Sequence, residues 1–507
     1  MSRTAFDSFL SKLNITESVH FKLSQHLAKT VRGSDSVLTS PLANSILPEE
    51  ILSKWDDIFN SSRKAMSKNL LDLESSQRSK FGPRSIALSW DERKDSVNNY
   101  FSDEVAIDSG LKEKLFNVSG LGITRLRPLS QGSAIKFLKN DTNSGLPFFT
   151  RKGLVKDIYS DNFLQMSLLN RNDPCVMFTR TQEQKKTRAV WGYPMSDTLN
   201  EMRYYRPLFE YQKKLTWRSA LRGPDETNRK ITDIVTQAIN CGQKLVSIDF
   251  SSYDATVKSS LQKCSFNYIK SLFQSNFHLE LDDIALRFST IGLITPDGVF
   301  TGEHGVPSGS TFTNEVDSIT QYLIAKSIGI DDYHCDIQGD DGAYRTFDPD
   351  MLKEAFRVYG LNVNDDKSYI LPDGVVYLQN LYDIYHIKNG IIGGIYPTYR
   401  ALNRIIYLER YDNFTEDEII GSEYFAIRTI AILENCKYHP LFREFVEFIL
   451  KLDKYKLTYS EIGLSDYIKR KRKSKGAEGL IANQYGDNLT GLSSFETVKL
   501  INELSSG

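Results

Sequence analysis

The chain has 507 residues and a formal net charge of −1 at pH 7, from 63 Lys and Arg against 64 Asp and Glu. This length predicts three or four fused lobes, and the charge balance excludes a surface that is basic throughout, so any nucleic-acid contact must be concentrated locally. The five cysteines are odd in number and contain no Cys-x-x-Cys pair, which argues against a disulfide framework or a zinc knuckle and favours a reducing compartment.

The first 240 residues predict short helices and irregular segments. Residues 1–100 carry amphipathic helical patterns interrupted by prolines, which suits a packed extension or an interaction arm. Residues 1–30 lack the apolar core of a signal sequence, and no uncharged apolar stretch reaches about 18 residues, so we expect a soluble, unexported protein with no membrane partner. Residues 203–218 mix Arg, Lys and aromatics, which indicates either a surface for stacking bases or a solvated helix face with buried aromatics.

Helical and strand patterns alternate in the centre of the chain, and from about residue 400 onward long helical patterns dominate. The predicted central elements are a helix over 231–240, a strand over 244–250, a helix over 256–273, a hairpin over 293–300, a helix over 313–328, a hairpin around Asp340 and a helix over 350–359.

Two acidic segments lie where apolar runs stop. Asp249 ends the strand predicted over 244–250, and the Gly339-Asp340-Asp341 turn lies inside a predicted hairpin. If the two segments pair, their carboxylates meet at one sheet edge and can bind divalent metal, as two-metal phosphoryl transfer requires. In isolation, a Gly-Asp-Asp sequence is more often a plain acidic turn.

Three further segments suit the same chemistry. The loop Gly305–Ser310 precedes a predicted helix, where it either faces a polar ligand or simply caps that helix. Basic residues between Arg180 and Arg188 precede an extended apolar segment and can hold a triphosphate, or form a basic surface hairpin. Lys367 follows the helix after the acidic hairpin and can protonate a leaving pyrophosphate, or be a solvated lysine.

In order and spacing these segments resemble viral RNA-dependent RNA polymerases, most closely those of the double-stranded RNA partitiviruses and picobirnaviruses, over roughly residues 140 to 385. The matching positions of the catalytic motifs are Asp249 and Asp254; Ser308, Gly309, Thr313 and Asp317; Asp340 and Asp341; Lys367; and Arg180, Lys186 and Arg188. A segment from Asp141 to Phe148 resembles the template-guiding motif through Ser144, Gly145 and Pro147, and Tyr377–Leu381 resembles the primer-grip hairpin.

The resemblance implies a role for each of these positions. Asp249, Asp340 and Asp341 would bind metal and act in catalysis, with Lys367 as general acid. Asp254 would recognise the ribose 2′-hydroxyl. The other positions of the catalytic motifs would bind the nucleotide: Arg180, Lys186, Arg188, Ser308, Gly309, Thr313 and Asp317. The template positions Ser144, Gly145 and Pro147 would bind RNA.

The resemblance also implies an α+β, right-hand polymerase fold with fingers, palm and thumb, a closed fingers–thumb arrangement and an antiparallel palm sheet. The implied domains are 1–100 as an extension linking fingers and thumb, 101–240 and 258–300 as fingers, 241–257 and 301–385 as palm, and 386–507 as thumb with a C-terminal tail. Two Mg²⁺ ions, which Mn²⁺ can replace, are the implied cofactors. The implied partners are template and product RNA, ribonucleoside triphosphates and a viral capsid protein, and the implied locations are the virion interior and the host cytoplasm.

Two other functions fit parts of the pattern. A reverse transcriptase shares the palm acids but usually has a bulky aromatic residue where this chain has Asp254. A non-catalytic RNA-binding virion protein would have lost an acid, and none is missing. For the basic run Lys469–Lys475 two interpretations stay open. It is either a contact surface for RNA or capsid, or a solvated helix end or nuclear-import-like patch. For the tail 476–507, with a helix predicted over 495–504, we hypothesise that it folds into the palm cavity and regulates initiation.

Overall fold

The computed structural model describes residues 13–43, 46–119, 125–161, 172–410, 419–471 and 489–506. Its α-helices are α1 Glu17–Arg32, α2 Pro48–Ser61, α3 Lys68–Arg78, α4 Trp90–Asn98, α5 Ser109–Ser119, α6 Gln131–Ala134, α7 Lys156–Asp161, α8 Met195–Gln212, α9 Pro224–Cys241, α10 Tyr253–Thr256, α11 Ser259–Leu272, α12 His278–Thr290, α13 Thr313–Ser327, α14 Pro349–Val358, α15 Thr398–Ile406, α16 Gly421–Glu434, α17 Phe442–Leu452, α18 Glu461–Lys471 and α19 Glu496–Ser506. Its strands are β1 Cys175–Thr181, β2 Thr187–Gly192, β3 Lys244–Ile248, β4 Leu293–Thr295, β5 Gly298–Phe300, β6 Cys335–Gln338, β7 Asp341–Thr346, β8 Tyr369–Leu371, β9 Gly374–Tyr377, β10 Asn380–Asp383, β11 Ile387–Lys388 and β12 Ile391–Ile392.

A four-stranded sheet in the order β6-β7-β3-β8 carries the acidic segments, and all its neighbouring strands are antiparallel. Successive strand residues point to opposite faces, so Leu245 packs with α9 on one face while Val246 packs with α11 and α13 on the other. Helices therefore cover both faces of this sheet. The free edge formed by the strand ends is left for the acidic residues.

A second four-stranded sheet has the order β2-β1-β4-β5, with β1 and β2 forming an antiparallel hairpin. Helix α1 buries Val19, Leu23 and Leu27 against this sheet and the loop around Leu146. A separate and larger apolar core joins α2 and α3 to the C-terminal helices α15–α19, with Trp55 packed on Phe445. The first 100 residues therefore pack against both the second sheet and the C-terminal helices.

The structure confirms the predicted elements and shifts some of their ends. The strand predicted over 244–250 stops at Ile248, because the Asp249 N–H donates to Ser368 Oγ (3.1 Å) and so leaves the ladder. The helix predicted over 256–273 begins only at Ser259, because Lys258 is extended with φ −82° and ψ 178°.

Within the segment 203–218, helix α8 ends at Gln212, and the hypothesis of a base-stacking surface is wrong for Trp217 and Arg218, which are buried. Trp217 is 1% exposed and stacks on Tyr322, with ring centroids 4.0 Å apart and planes 2° apart. Arg218 is fully buried in an ion pair with Glu315 (3.0 Å). These side chains contribute to the core under the catalytic sheet and are not available to RNA.

The predicted C-terminal helix is present as α19, but the described part of the tail does not enter the space beside the acidic residues. Phe495 and Val498 are buried in the C-terminal core, and Thr497 Oγ1 donates to Glu434 Oε2 (2.9 Å). The hypothesis of a tail in the palm cavity is therefore wrong for residues 489–506. Most of the basic run, from residue 472, lies outside the described residues. None of the described helices is both long and apolar enough to cross a membrane.

Candidate active site

The Gly339-Asp340 turn joins β6 to β7, since Gln338 pairs with Asp341 across it. Gly339 has a φ of 65°, in the left-handed region that favours glycine at such tight turns. Helix α13 holds this turn from below: the Gly339 N–H donates to Ser318 Oγ (2.7 Å), and Gln321 Nε2 donates to the Gly339 carbonyl (2.7 Å). The turn is therefore fixed by its backbone, which leaves the Asp340 side chain exposed at the tip.

Asp249 lies beside this hairpin. Ile248 pairs with Gly342, so the residue that follows β3 sits next to the start of β7, where Asp341 lies. The Asp249 carbonyl accepts a hydrogen bond from the Asn364 N–H (2.8 Å), which fixes the backbone from the side of the Lys367 segment. Burial raises the pKa of Asp249; the Lys367 charge opposes this rise and the Asp340 charge adds to it. The structure thus brings Asp249 and Asp340 together, as predicted.

Three more carboxylates crowd the same site. Burial and then the charges of Asp340 and Asp249 raise the pKa of Asp341 to about 8. Burial and then Asp340 raise the pKa of Asp254 to about 6. Burial, followed by Asp254 and Asp340, raises the pKa of Asp317 well above its ordinary value. Asp317 is 4% exposed, and its Oδ1 has no hydrogen-bond partner among the described residues.

This crowding fits a divalent cation. Negative groups that raise one another's pKa are stabilised when a bound cation supplies the missing positive charge. In the described part of the chain, no group of three or more Asp, Glu, His or Cys side chains is arranged as a preformed metal site. Mg²⁺ usually keeps several waters and takes only one or two carboxylates plus substrate phosphates, so a ready-made cage is not required. Asp249, Asp340 and Asp341 are the residues that would hold it.

Cations face the carboxylates from two other segments. Lys186 lies at the tip of the β1–β2 hairpin, where desolvation and the charges of Arg188 and Lys367 lower its pKa while Asp249 and Asp340 oppose this change. The Arg188 charge partly offsets the rise in the pKa of Asp254 and of Asp341. Lys367 is exposed beside Asp249. The predicted nucleotide contacts Lys186 and Arg188 therefore lie at the carboxylate site.

Arg180 contacts the C-terminal lobe. It pairs with Arg188 in the register of β1 and β2, but its guanidinium lies 3.4 Å from Glu409 Oε1. Its side chain is 57% exposed and contributes to the wall of a separate large cavity. In this structure Arg180 therefore contacts a carboxylate of the C-terminal lobe, and its role in nucleotide binding stays a prediction.

The loop Gly305–Ser310 lies between β5 and α13 and packs against β2. An ideal Cβ on Gly309 would lie 1.6 Å from the Trp191 carbonyl oxygen, so only glycine fits against β2. Ser308 Oγ donates to the Ala189 carbonyl (3.2 Å), and Thr313 Oγ1 donates to the Pro307 carbonyl (2.9 Å). Both hydroxyls hold the loop in place here, so these positions shape the site through the backbone.

A cavity of about 980 Å³ opens between the second sheet and the C-terminal lobe. Its basic lining residues are Lys22, Lys139, Arg151, Lys152, Arg180 and Arg410. Thr142 and Asn143 line it, whereas Ser144 next to them is fully buried and Gly145 packs on the Tyr193 carbonyl. Pro147 is partly buried and does not line the cavity. The predicted template positions therefore shape the loop, and their neighbours face the space.

Sequence reasoning missed a charged cluster between the β1–β2 hairpin and the C-terminal lobe. Glu183 lies 3.6 Å from Arg84 and 3.5 Å from Arg400, and Arg84 lies 3.7 Å from Glu409. Lys80 lies beside this cluster, and its charge acts on Asp249. These residues share no motif or spacing, so no signal in the sequence could have identified them.

Comparisons with known proteins show which family the chain resembles. A family model for viral RNA-dependent RNA polymerase matches residues 97–416. The chain is 26% identical over 478 residues to the potential RNA-dependent RNA polymerase of Human picobirnavirus (strain Human/Thailand/Hy005102/-), covering 88% of each chain. It is 27% identical over 317 residues to the RNA-directed RNA polymerase of Cryptosporidium parvum virus 1 (strain KSU-1), covering 54% of this chain and 59% of that relative.

The solved structures show the same fold. The crystal structure of the RNA-dependent RNA polymerase of a human picobirnavirus matches with a TM-score of 0.79 at 22% identity, covering 98% of this chain and 99% of that chain. The insertion loop deletion mutant of a human picobirnavirus polymerase matches with a TM-score of 0.78 at 22% identity, covering 99% of each chain. The predicted α+β right-hand polymerase fold is confirmed.

Proposed function

The chain belongs to the viral RNA-dependent RNA polymerases, and we propose that it joins ribonucleoside triphosphates on an RNA template by two-metal nucleotidyl transfer, releasing pyrophosphate. It is an RNA-dependent RNA polymerase that binds RNA and nucleotides, and its family generally uses divalent metal ions. The observation that carries the finer proposal is the group of Asp249, Asp340 and Asp341 at one sheet edge, opposed by Lys186 and Lys367.

Two bound divalent ions, Mg²⁺ or Mn²⁺, would activate the attacking 3′-hydroxyl and stabilise charge on the leaving pyrophosphate. In this proposal Asp249 and Asp340 hold the ions, with Asp341 as a nearby ligand. Lys186 and Arg188 contact the triphosphate, since both lie opposite the carboxylates. Lys367, exposed beside Asp249, gives a proton to the leaving pyrophosphate.

Asp254 and Asp317 form the sugar-recognition part of this proposal. Asp317 is almost fully buried and carries an oxygen without a hydrogen-bond partner in the described residues, and its charge and that of Asp254 interact. A buried polar oxygen without a hydrogen-bond partner is unfavourable, and a ribose hydroxyl can be that partner, since a hydroxyl both donates and accepts. This arrangement favours ribonucleotides and disfavours the reverse transcriptase alternative. Faster extension with deoxynucleotides than with ribonucleotides would reject it.

The template would follow the 980 Å³ cavity, because its basic lining can neutralise phosphates in a chain whose overall charge is near zero. In this scheme residues 101–240 and 258–300 form the fingers, 241–257 and 301–385 the palm and 386–507 the thumb. The first 100 residues link fingers and thumb. The capsid partner and the locations in virion and cytoplasm stay predictions from the resemblance.

The decisive experiment measures Mg²⁺-dependent incorporation of labelled ribonucleotides on an RNA template by wild type and Asp340→Asn. Asp340 is exposed and repels its neighbouring carboxylates, so its substitution should abolish incorporation without lowering the unfolding temperature. Asp35→Asn, another exposed aspartate, is the matched control and should retain activity. Incorporation by Asp340→Asn at the wild-type rate would refute the proposal, and a wild type inactive with either metal would favour the non-catalytic alternative.

A further inference from the structure

A segment of the N-terminal region reaches the active site between the β1–β2 hairpin and the C-terminal lobe. Lys80 follows α3 in a turn in which its N–H donates to the Gln77 carbonyl (3.1 Å). The next residue, Phe81, packs edge-on against Tyr407, with ring centroids 5.5 Å apart. The Gly82 N–H donates to Asn403 Oδ1 (2.8 Å). These contacts fix the turn on the C-terminal lobe.

The other end of the segment is fixed on the hairpin. Arg84 lies 3.6 Å from Glu183, and the Leu88 N–H donates to Thr187 Oγ1 (3.0 Å). Because both flanks are attached to different parts of the molecule, the Lys80 backbone has little freedom to move. Its side chain is held where the hairpin, the C-terminal lobe and the catalytic sheet meet.

The Lys80 ammonium group has no partner among the described residues. It is half-buried, and no hydrogen bond or ion pair with another described residue ends on its Nζ. The charges that act on it are Arg400, Lys367, Glu183 and Asp249. Glu183 favours the charged form of Lys80, but it also contacts Arg84 and Arg400, so its single negative charge is shared among three cations. Partial burial of such a cation is unfavourable unless an anion pairs with it.

Two other lysines share this environment. Lys186 and Lys367 act on the same carboxylate, Asp249, and no ion pair joins either to a described acidic residue. The charges of three lysines from three distant parts of the chain thus act on Asp249, which belongs to the group of carboxylates. An anion with several charges and many oxygens fits between them, since it can contact the lysines and share a cation with the carboxylates.

We propose that Lys80 is a nucleotide-binding residue that contacts the β- and γ-phosphates of the incoming ribonucleoside triphosphate and the pyrophosphate product. The inference rests on the proposed function for the identity of the natural ligand. It gives the N-terminal region a direct role in the reaction, beyond joining the two ends of the molecule.

The test compares Lys80→Ala and Lys80→Arg with wild type, using inorganic tripolyphosphate with Mg²⁺ as the binding probe. Lys64→Ala is the matched control, because Lys64 is an exposed lysine of the same N-terminal region. We expect Lys80→Ala to bind tripolyphosphate about tenfold more weakly, the usual effect of losing one charge-assisted contact. We also expect a similar rise in KM for nucleotide and in the inhibition constant of pyrophosphate. Lys80→Arg should retain most of the binding, and kcat and the unfolding temperature should change little.

Two results would overturn the inference. One is wild-type affinity of Lys80→Ala for tripolyphosphate together with an unchanged KM. The other is an equal fall of the unfolding temperature in Lys80→Ala and Lys80→Arg with no selective change in phosphate binding, which would make Lys80 a structural residue. Lys80-dependent binding by a wild type that incorporates no nucleotide would instead refute the proposed function alone.

Discussion

Replacement of Gly309 by alanine tests whether the close contact between the Gly305–Ser310 loop and β2 positions the site. An alanine Cβ would lie 1.6 Å from the Trp191 carbonyl oxygen and 2.7 Å from its carbonyl carbon, whereas real Cβ contacts essentially never fall below 3.0 Å. The loop must therefore retreat by about 1.4 Å, the difference between 3.0 and 1.6 Å. The atoms of Trp191 that the new Cβ would approach belong to the backbone of a paired strand, so the clash cannot be relieved by a side-chain rotation.

This displacement is transmitted to the carboxylates. The loop leads directly into α13, which carries Asp317 and holds the Gly339-Asp340 turn through Ser318. A displacement of about 1 Å in a catalytic site can lower the rate by about 100-fold, and overpacking of this kind typically costs about 1–3 kcal/mol of stability. We therefore expect Gly309→Ala to lower ribonucleotide incorporation by at least about 100-fold at saturating substrate.

The assay is template-dependent incorporation of labelled ribonucleotide, measured beside thermal unfolding. Gly132→Ala is the matched control, because a Cβ there meets nothing within 4 Å and lies in the short helix α6. Gly132→Ala should keep wild-type activity. Incorporation by Gly309→Ala within a few-fold of wild type would show that the loop can move without disturbing the site, and would refute this reasoning.

Three further predictions concern Asp341, the buried Arg218–Glu315 ion pair and Asp254. The pKa of Asp341 is about 8 in the folded protein and 3.8 ordinarily, so the metal-free protein should lose stability as the pH rises between these values. Because protons compete with Mg²⁺ for this carboxylate, the Mg²⁺ concentration for half-maximal incorporation should fall by up to about tenfold per pH unit below about 8. A flat Mg²⁺ requirement from about pH 6 to about pH 8 would contradict this prediction. Arg218→Ala leaves the buried Glu315 carboxylate unpaired and should lower the free energy of unfolding by about 3–5 kcal/mol in denaturant titrations. The double variant Arg218→Met with Glu315→Leu should recover much of this loss. Equal stability of Arg218→Ala and wild type would argue against a stabilising role of this ion pair. Asp254→Ala should lower the ratio of kcat/KM for ribonucleotides over deoxynucleotides, and an unchanged ratio would remove Asp254 from sugar selection.

The acidic residues and the elements that carry them could be predicted from local sequence. Asp340 lies between two short strands with a glycine before it, and this pattern specifies a tight turn because few residues other than glycine adopt a φ of 65°. The apolar run before Asp249 predicts a buried strand for the same local reason. Chemistry that depends on a strand end or on a turn is thus readable in the chain.

Only the tertiary structure decided which charged side chains meet. Arg180 and Arg188 are equivalent in a basic hairpin, yet Arg188 faces Asp254 while Arg180 contacts Glu409 from the C-terminal lobe. The sequence around Trp217 is typical of a base-stacking surface, but the Trp217 ring is buried and stacks on Tyr322. The charge of Lys80 acts on Asp249 across a large separation in sequence. Local patterns determine strands, helices and turns because they depend on near neighbours, whereas ion pairing and burial depend on long-range packing that leaves no periodicity in the sequence.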